Sequence, residues 1–270
     1  MLAVTTRNKL RSRRFFLPMA RAWLIVRGQL ARTPGMVRFI TGIANLTEFY
    51  TLTLWESRQA MLTFTASGGH RQIMWMFTRW SESFWSMRWE PTVDKVGRWG
   101  DSKLAGAVPA IEADECADSP AWLFRSQMAA SLAPYIDTVG RPDKRDLNPK
   151  TCGVVAVLAR VATPWPVDVS HLRHSLRPWR SHPCLLRSVV GVGPGECLLV
   201  TLWQDDAMEE SKALMQSLVR RFQDAWTMRL TAGDYEIGNW DGLRLRQMAT
   251  GHPVAEHAPR PDSPIISLAL

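Results

Sequence analysis

The sequence predicts an α+β protein built from two ferredoxin-like units, each with the element order β-α-β-β-α-β. Residues 85–99 align without a gap on residues 226–240, and both segments read W-x-M-R followed by G-x-W. Upstream, residues 52–55 (Leu-Thr-Leu-Trp) match residues 200–203 (Val-Thr-Leu-Trp). Because these three landmarks recur in the same order, the pattern indicates an internal duplication.

The second copy is the clearer of the two. Its β-branched run ends at a Thr-Pro-Trp-Pro segment, its hairpin carries Gly-Pro-Gly, and Met208, Met215 and Leu218 form one helical stripe. We predict strands at 154–161, 185–192, 197–203 and 226–240, a short helix at 170–179, and a longer helix beginning at Asp205.

The first copy repeats this order. We predict strands at 3–6, 37–43, 49–55 and through Trp89, with helices at 19–30 and 57–80. The domain assignment is residues 1–100 for the first repeat with a basic N-terminal arm, 101–150 for a linker with one helix, 151–246 for the second repeat, and 247–270 for a disordered, Pro-rich tail.

Each split βαβ sheet carries its helices on one face and leaves the other face apolar. Two such sheets in one chain can cover each other, so we expect an intrachain barrel with helices outside and a ligand cavity inside. No partner subunit is needed for this barrel, although exposed sheet edges leave a homodimer open.

The net charge of +8 is confined to one segment. Residues 1–47 hold nine basic side chains and no acidic one, so the rest of the chain is almost neutral. We therefore expect no nucleic-acid partner. Charged residues interrupt every apolar run, which predicts no stable membrane insertion. Four widely spaced cysteines and no signal peptide favour the cytoplasm.

One segment resembles a known family. Trp55-x4-Ala60-Met61-x2-Phe64-x3-Gly68-x-His70, with the downstream W-x-M-R and G-x-W, resembles the spheroidene monooxygenases, which are carotenoid ketolases of the dimeric α+β barrel superfamily. The haem-containing aldoxime dehydratases share that architecture and are more distantly similar. The resemblance implies b-type haem with iron bound through His70, although the matching histidine of the ketolases lies in the second copy.

The residues around His70 are consistent with that role. Trp85 follows Trp55 by 30 residues and Trp226 follows Trp203 by 23, so the first copy has seven extra residues, which fall near His70. Gly68 and Gly69 should break the helix and place His70 in a new first turn, where the helix dipole favours a neutral imidazole. Phe64, Met74 and Phe77 are the expected apolar cofactor contacts. The alternative is a histidine at a helix start with only a structural role.

Arg88 and Arg229, the arginines of the two W-x-M-R motifs, are the candidate catalytic residues. Inside the barrel, either could pair with a haem propionate or polarise a bound oxygen or substrate group. Because each alternates with Trp and Met along its strand, a position on the outer surface is the alternative.

These features favour a haem-dependent, monooxygenase-like oxidoreductase acting on a small apolar or amphipathic secondary metabolite in the barrel. Two enzymatic alternatives remain: haem-dependent dehydration or rearrangement of an N-hydroxylated substrate, and a cofactor-independent oxygenase or cyclase of the same fold. A third is a non-catalytic binding module.

Overall fold

The computed structural model describes residues 1–99, 102–103, 154–162, 167–193, 196–204, 207–222, 224–238 and 240–241. The predicted linker helix, within 101–150, and the predicted disordered tail, 247–270, lie outside the described residues. Among the residues that are described, no helix is both long and apolar enough to cross a lipid bilayer.

The first repeat has the predicted order of elements. Its elements are β1 (Leu2–Leu10), α1 (Phe16–Leu30), β2 (Met36–Asn45), β3 (Glu48–Trp55), α2 (Arg58–Thr65), α3 (Gly68–Trp80) and β4 (Ser81–Trp99). The predicted second helix is therefore two helices, and β4 runs ten residues beyond Trp89. A two-residue strand, β5 (Ser102–Lys103), pairs with the end of β4.

The second repeat also follows the predicted order. Its elements are β6 (Val154–Ala162), α4 (Val167–Leu176), β7 (Leu185–Gly193), β8 (Glu196–Gln204), α5 (Met208–Arg221) and β9 (Ala225–Gly238). A 3-10 turn, Arg177–Trp179, prolongs α4. The helix α5 begins at Met208 rather than at Asp205.

Eight antiparallel strands close into a barrel in the order β1-β3-β2-β7-β8-β6-β9-β4, because β4 also pairs with β1. The first repeat supplies β4-β1-β3-β2 and the second supplies β9-β6-β8-β7. Two seams join the repeats, β2 with β7 and β4 with β9, so equivalent strands meet at both. This arrangement confirms the predicted α+β fold with tandem repeats.

The repeated W-x-M-R and G-x-W motifs meet across the long β4–β9 seam. Trp85 pairs with Gly238, and Gly97 pairs with Trp226, so each copy places its tryptophan opposite the other copy's glycine. Both glycines have positive φ, 91° at Gly97 and 74° at Gly238, and a Cβ there would overlap a carbonyl oxygen of the facing strand. The motif therefore builds the junction between the repeats.

Large apolar side chains fill the inside of the barrel. The buried indoles pack in two equivalent tilted pairs, Trp99 with Trp226 at 4.7 Å and Trp240 with Trp85 at 5.1 Å between ring centroids. The outer faces of the strands pack under the helices: Trp55 and Trp203 lie there, each donating its indole N–H to the threonine two residues earlier. The two Leu/Val-Thr-Leu-Trp segments thus serve the same local role.

Candidate functional site

A break between α2 and α3 sets the position of His70. The helix α2 ends after Thr65, Ser67 is extended, and Gly68 has φ of 55°, so the chain restarts as α3 at Gly68. This confirms that the glycines restart the helix and place His70 in its first turn. A side chain on Gly68 would be strained by the positive φ and would also lie 2.9 Å from the amide of Gln29.

Gln29 of α1 clamps this break. Its Nε2 donates to the carbonyl oxygens of Phe64 (3.3 Å) and Ser67 (3.0 Å), and its Oε1 accepts the backbone N–H of His70 at 2.8 Å. The helix α3 receives no side-chain cap from Ser67, so the Gln29 amide satisfies one of the first-turn N–H groups instead. The close packing of Gly69 against Ile25 holds α1 and α3 together at the same point.

The imidazole of His70 is oriented through its Nδ1, which lies 3.2 Å from the carbonyl oxygen of Thr65. A carbonyl only accepts, so Nδ1 carries the proton and a neutral ring keeps its lone pair on Nε2. Within the described part of the chain, nothing is hydrogen-bonded to Nε2. Burial lowers the pKa of His70, and the hydrogen bond to Thr65 offsets this only in part, so the neutral form is favoured.

The predicted apolar contacts of His70 differ in their positions. Phe64 packs against the imidazole, with 4.7 Å between ring centroids, and is itself 5% exposed. Met74 is half-buried on α3, one helical turn beyond His70. Phe77, a further turn along, packs partly buried into the apolar layer between the helices and the sheet. His70 thus belongs to the outer helical layer rather than to the barrel interior.

An open groove of about 720 Å³ lies between α1 and the α2–α3 break, beside His70. Its residues include Phe64, which contacts the imidazole, and Gly68 and Gly69, which precede His70. Leu24 and Ile25 supply an apolar wall, and a Cβ at Gly28 would meet nothing within 4 Å. The polar residues on the groove lining are Gln29, Arg32, Thr33, Thr63 and Ser67.

The two predicted catalytic arginines face away from the barrel interior. Arg88 contacts Asp234 and lies over the ring of Tyr235 at 4.2 Å, and Arg229 pairs with Asp94. Each arginine of one repeat therefore pairs with an acid on the facing strand of the other. Of the two positions that the sequence leaves open, both arginines take the outer one, because Trp85, Met87 and Trp89 take the inward positions of β4. Their assignment as catalytic residues stays a prediction.

A buried ionisable cluster occupies the end of the barrel near the β2–β3 turn. We call it the barrel-end cluster; its members are Arg7, Glu48, Tyr50, Ser83, Arg187 and Asp241. The Nε of Arg7 donates to Glu48 and to the Tyr50 hydroxyl (3.1 Å), and Tyr50 in turn donates to Glu48 at 2.6 Å. Arg7 also donates through Nη1 to Ser83 (3.2 Å) and through Nη2 to both carboxylate oxygens of Asp241 (2.9 and 3.1 Å).

Burial and charge act together in the barrel-end cluster. Burial raises the pKa of Tyr50 well above its usual value, and the neighbouring Glu48 raises it further, so the hydroxyl stays protonated. Burial alone would lower the pKa of Arg7, but Tyr50, Glu48 and Asp241 more than compensate and raise it. Burial lowers the pKa of Arg187, which Asp241 counteracts.

Sequence reasoning missed this cluster because the predicted end of the first strand comes too early and the predicted start of the third strand comes too late. The predicted first strand stopped at Thr6, one residue before Arg7, and the predicted third strand began at Phe49, one residue after Glu48. Both residues are in phase with the inward positions Thr5 and Tyr50. A charged residue at an inward position of a half-buried strand was the available signal.

The sequence matches no known family model and no curated protein. Among solved structures, the fold is similar to a candidate monooxygenase from Lactobacillus acidophilus (10% identity, TM-score 0.33, covering 88% of this chain and 98% of that one). A candidate monooxygenase from Fusobacterium nucleatum has 8% identity and a TM-score of 0.34, and the match covers 86% of this chain and 91% of that one. SnoaB, a cofactor-independent oxygenase from Streptomyces nogalater, has 16% identity and a TM-score of 0.26, and the match covers 32% of this chain and 86% of that one. Likenesses this distant carry no conclusion about the chemistry of this chain.

Proposed function

We propose that this protein is a haem-binding, monooxygenase-like oxidoreductase in which Nε2 of His70 is the iron ligand. The observation that carries the proposal is the hydrogen bond from Nδ1 of His70 to the Thr65 carbonyl, which leaves the Nε2 lone pair for a metal. Histidines that ligate metals commonly donate their other ring N–H to a carbonyl in this way, which fixes the tautomer and the ring orientation.

The surroundings of His70 fit haem in three respects. The imidazole is favoured in the neutral form that binds iron, Phe64 supplies an aromatic contact, and the adjacent groove has a volume typical of small-molecule sites. Arg32, exposed on the groove lining, is the partner available to a propionate. A side chain at Gly28 would extend into the groove, so glycine leaves room there for a flat ligand.

When bound, haem supplies the redox chemistry of oxygenation. The chain's own residues have simpler tasks: Gln29 and Thr65 orient the imidazole, Phe64 keeps one side of it dry, and the groove receives the substrate. The walls of Leu24 and Ile25, with Arg32 and Thr33 among the polar residues, suit a small apolar or amphipathic molecule. This location is in the outer helical layer and replaces the barrel interior, where the buried indole pairs lie.

The test is an absorption spectrum of protein produced with haem precursor, recorded oxidised, reduced and with carbon monoxide. We expect a Soret band that shifts on reduction and is lost in His70→Ala, whereas His174→Ala, which removes an exposed histidine of α4, retains it. In Gln29→Leu, we expect haem to bind more weakly through the same ligand, because the imidazole is less firmly held.

A featureless spectrum under haem-replete conditions, or full haem occupancy in His70→Ala, would contradict the proposal. If haem binds but the protein turns over an N-hydroxylated compound without a reductant, the reaction is dehydration or rearrangement rather than oxygenation. Turnover by colourless protein would favour the cofactor-independent alternative.

A further inference from the structure

The exposed side of α1 combines apolar and basic side chains. Leu17, Leu24 and Ile25 are 70%, 40% and 53% exposed, although other apolar residues of the same helix are buried. Leu17, Arg21 and Leu24 follow one another at helical spacing, so the arginine lies between the two leucines on one stripe. Single exposed apolar side chains are normal on a protein surface, whereas a contiguous group of them indicates an interaction site.

The second repeat shows that the fold does not require this apolar group. Its helix α4 is equivalent to α1, because each is the first helix of a β-α-β-β-α-β unit. Among the described side chains of α4, the exposed ones are all polar: Ser170, His171 and His174. The same barrel therefore forms over a polar helix surface in one repeat and over a partly apolar one in the other, so the exposed leucines of α1 have a purpose other than packing.

Positive charge accompanies the apolar group. Arg14 and Arg21 are exposed, and neither forms an ion pair within the described part of the chain. Residues 1–47 contain no acidic side chain, and the exposed Glu56 lies close to Gly35, beyond the C-terminal end of α1. The first half of the helix therefore presents cations with no nearby carboxylate along its own segment, which attracts an anionic partner.

The charges favour a lipid surface over a second copy of the chain. In a closed dimer the same face would meet itself across the twofold axis, and the arginines of the two copies would repel each other. An anionic bilayer has no such conflict. Apolar side chains enter the boundary between headgroups and acyl chains, while guanidinium groups beside them contact the lipid phosphates.

We propose that the exposed side of α1 docks this protein on an anionic lipid surface. The docking face consists of Arg14, Leu17, Arg21, Leu24 and Ile25. The helix lies along the headgroups, its apolar side chains enter the bilayer surface and its arginines pair with phosphates. The attachment is peripheral and reversible, because three apolar side chains bury little area. Leu24 and Ile25 also wall the groove beside the proposed haem site, so docking brings that groove to the lipid.

Flotation with lipid vesicles tests the charged part of this proposal. We expect the full chain to bind vesicles of phosphatidylcholine with about one quarter phosphatidylglycerol, to dissociate at high salt, and not to bind phosphatidylcholine alone. Arg14→Glu combined with Arg21→Glu should weaken binding at least about tenfold, because two cations at the surface become anions. The matched control is Arg220→Glu combined with Arg221→Glu, which changes the net charge equally on exposed residues of α5 and should retain the binding.

A second pair of variants tests the apolar part. Leu17→Gln combined with Leu24→Gln leaves the charge unchanged and should weaken vesicle binding severalfold, because less apolar surface enters the lipid. Met208→Gln, which replaces an exposed apolar residue of α5, should not weaken it. Far-UV circular dichroism shows whether each variant is folded, and light scattering reports its oligomeric state.

Three outcomes would overturn the proposal. Anionic vesicles that leave the folded chain unbound at low salt would do so directly. Equal losses in the two charge-reversed proteins would show a general attraction to a basic protein rather than docking through α1. Conversion of a dimer to a monomer by the two leucine substitutions would show that a second copy covers this face. The vesicle assay uses no haem, so failure of the haem proposal leaves its result unaffected.

Discussion

His70 combines a partly buried ring with a neighbour, the Thr65 carbonyl oxygen, that can only accept a hydrogen bond. Burial lowers its pKa in the folded chain, whereas the unfolded chain titrates near about 6.5. Between these two values the unfolded state binds more protons than the folded state. The free energy of unfolding should therefore fall as the pH drops below about 6.5, and this contribution levels off below the folded pKa.

Denaturant titrations between pH 8 and pH 5 test this expectation. In His70→Gln, the loss of stability on acidification should be smaller than in the unmodified chain, because one proton-linked group is gone. The matched control is His174→Gln, which replaces an exposed histidine of α4. Parallel pH profiles for all three proteins would contradict the buried, neutral state of His70.

The backbone around His70 was predictable from the sequence, but the distant partners of these residues were not. The glycine pair before His70 predicted the helix restart, because a positive φ is costly for any other residue. Nothing local could have revealed Gln29, since the residue that clamps the restart lies 41 positions away from His70. The outward position of Arg88 was deducible from strand alternation, but its partner Asp234 depends on the pairing of the two repeats.

At the scale of elements, the antiparallel pairing of β4 with β9 depends on two glycines, Gly97 and Gly238. Gly238 has φ of 74°, and a Cβ there would overlap the carbonyl oxygen of Phe84. We expect Gly238→Ala to lower the free energy of unfolding by about 2 kcal/mol or more, because strain and a shifted strand add together. Urea denaturation measures this change.

Gly28 provides the matched control for that substitution. It lies within α1, and an added Cβ meets no atom within 4 Å, so Gly28→Ala should stabilise the protein by about 0.5–1 kcal/mol. Equal effects of the two substitutions would show that the seam tolerates a side chain at Gly238.

The order of the elements was predictable because the hydrophobic periodicity and the repeat agree. The ends of the elements were not. β4 continues to Trp99 since its second half pairs with β9, from Lys95 with Met228 to Gly97 with Trp226, and no local pattern encodes that distant partner. Arg7 and Glu48 lie inside strands for a similar reason: their buried charges are satisfied by each other, which overrides the preference of charged residues for loops.

At the scale of the whole molecule, each repeat supplies half of one shared core. Residues of both halves, among them Leu52, Trp89, Leu158 and Trp226, belong to the same buried cluster. A half expressed alone would expose that face to water, and an exposed apolar patch of this kind drives association. The two seams supply the backbone pairing for such an association.

Co-expression of residues 1–103 and 154–246 as separate chains tests this expectation. We expect a one-to-one complex by size-exclusion chromatography with light scattering, and aggregation or self-association of either fragment alone. Introducing Gly97→Ala into the first fragment should weaken the complex, because its Cβ would overlap the Ala225 carbonyl at the seam. Two stable, monomeric fragments would contradict the shared core.

The helix break at Gly68 has no counterpart among the described residues of the second repeat, where the helix α5 lies between β8 and β9. A barrel assembled from two identical subunits must present every side chain twice, on both sides of its symmetry axis. In a duplicated chain the two repeats can differ in sequence, so one repeat can acquire an insertion while the other keeps the shorter form. Whatever binds at His70 should therefore saturate at one equivalent per chain.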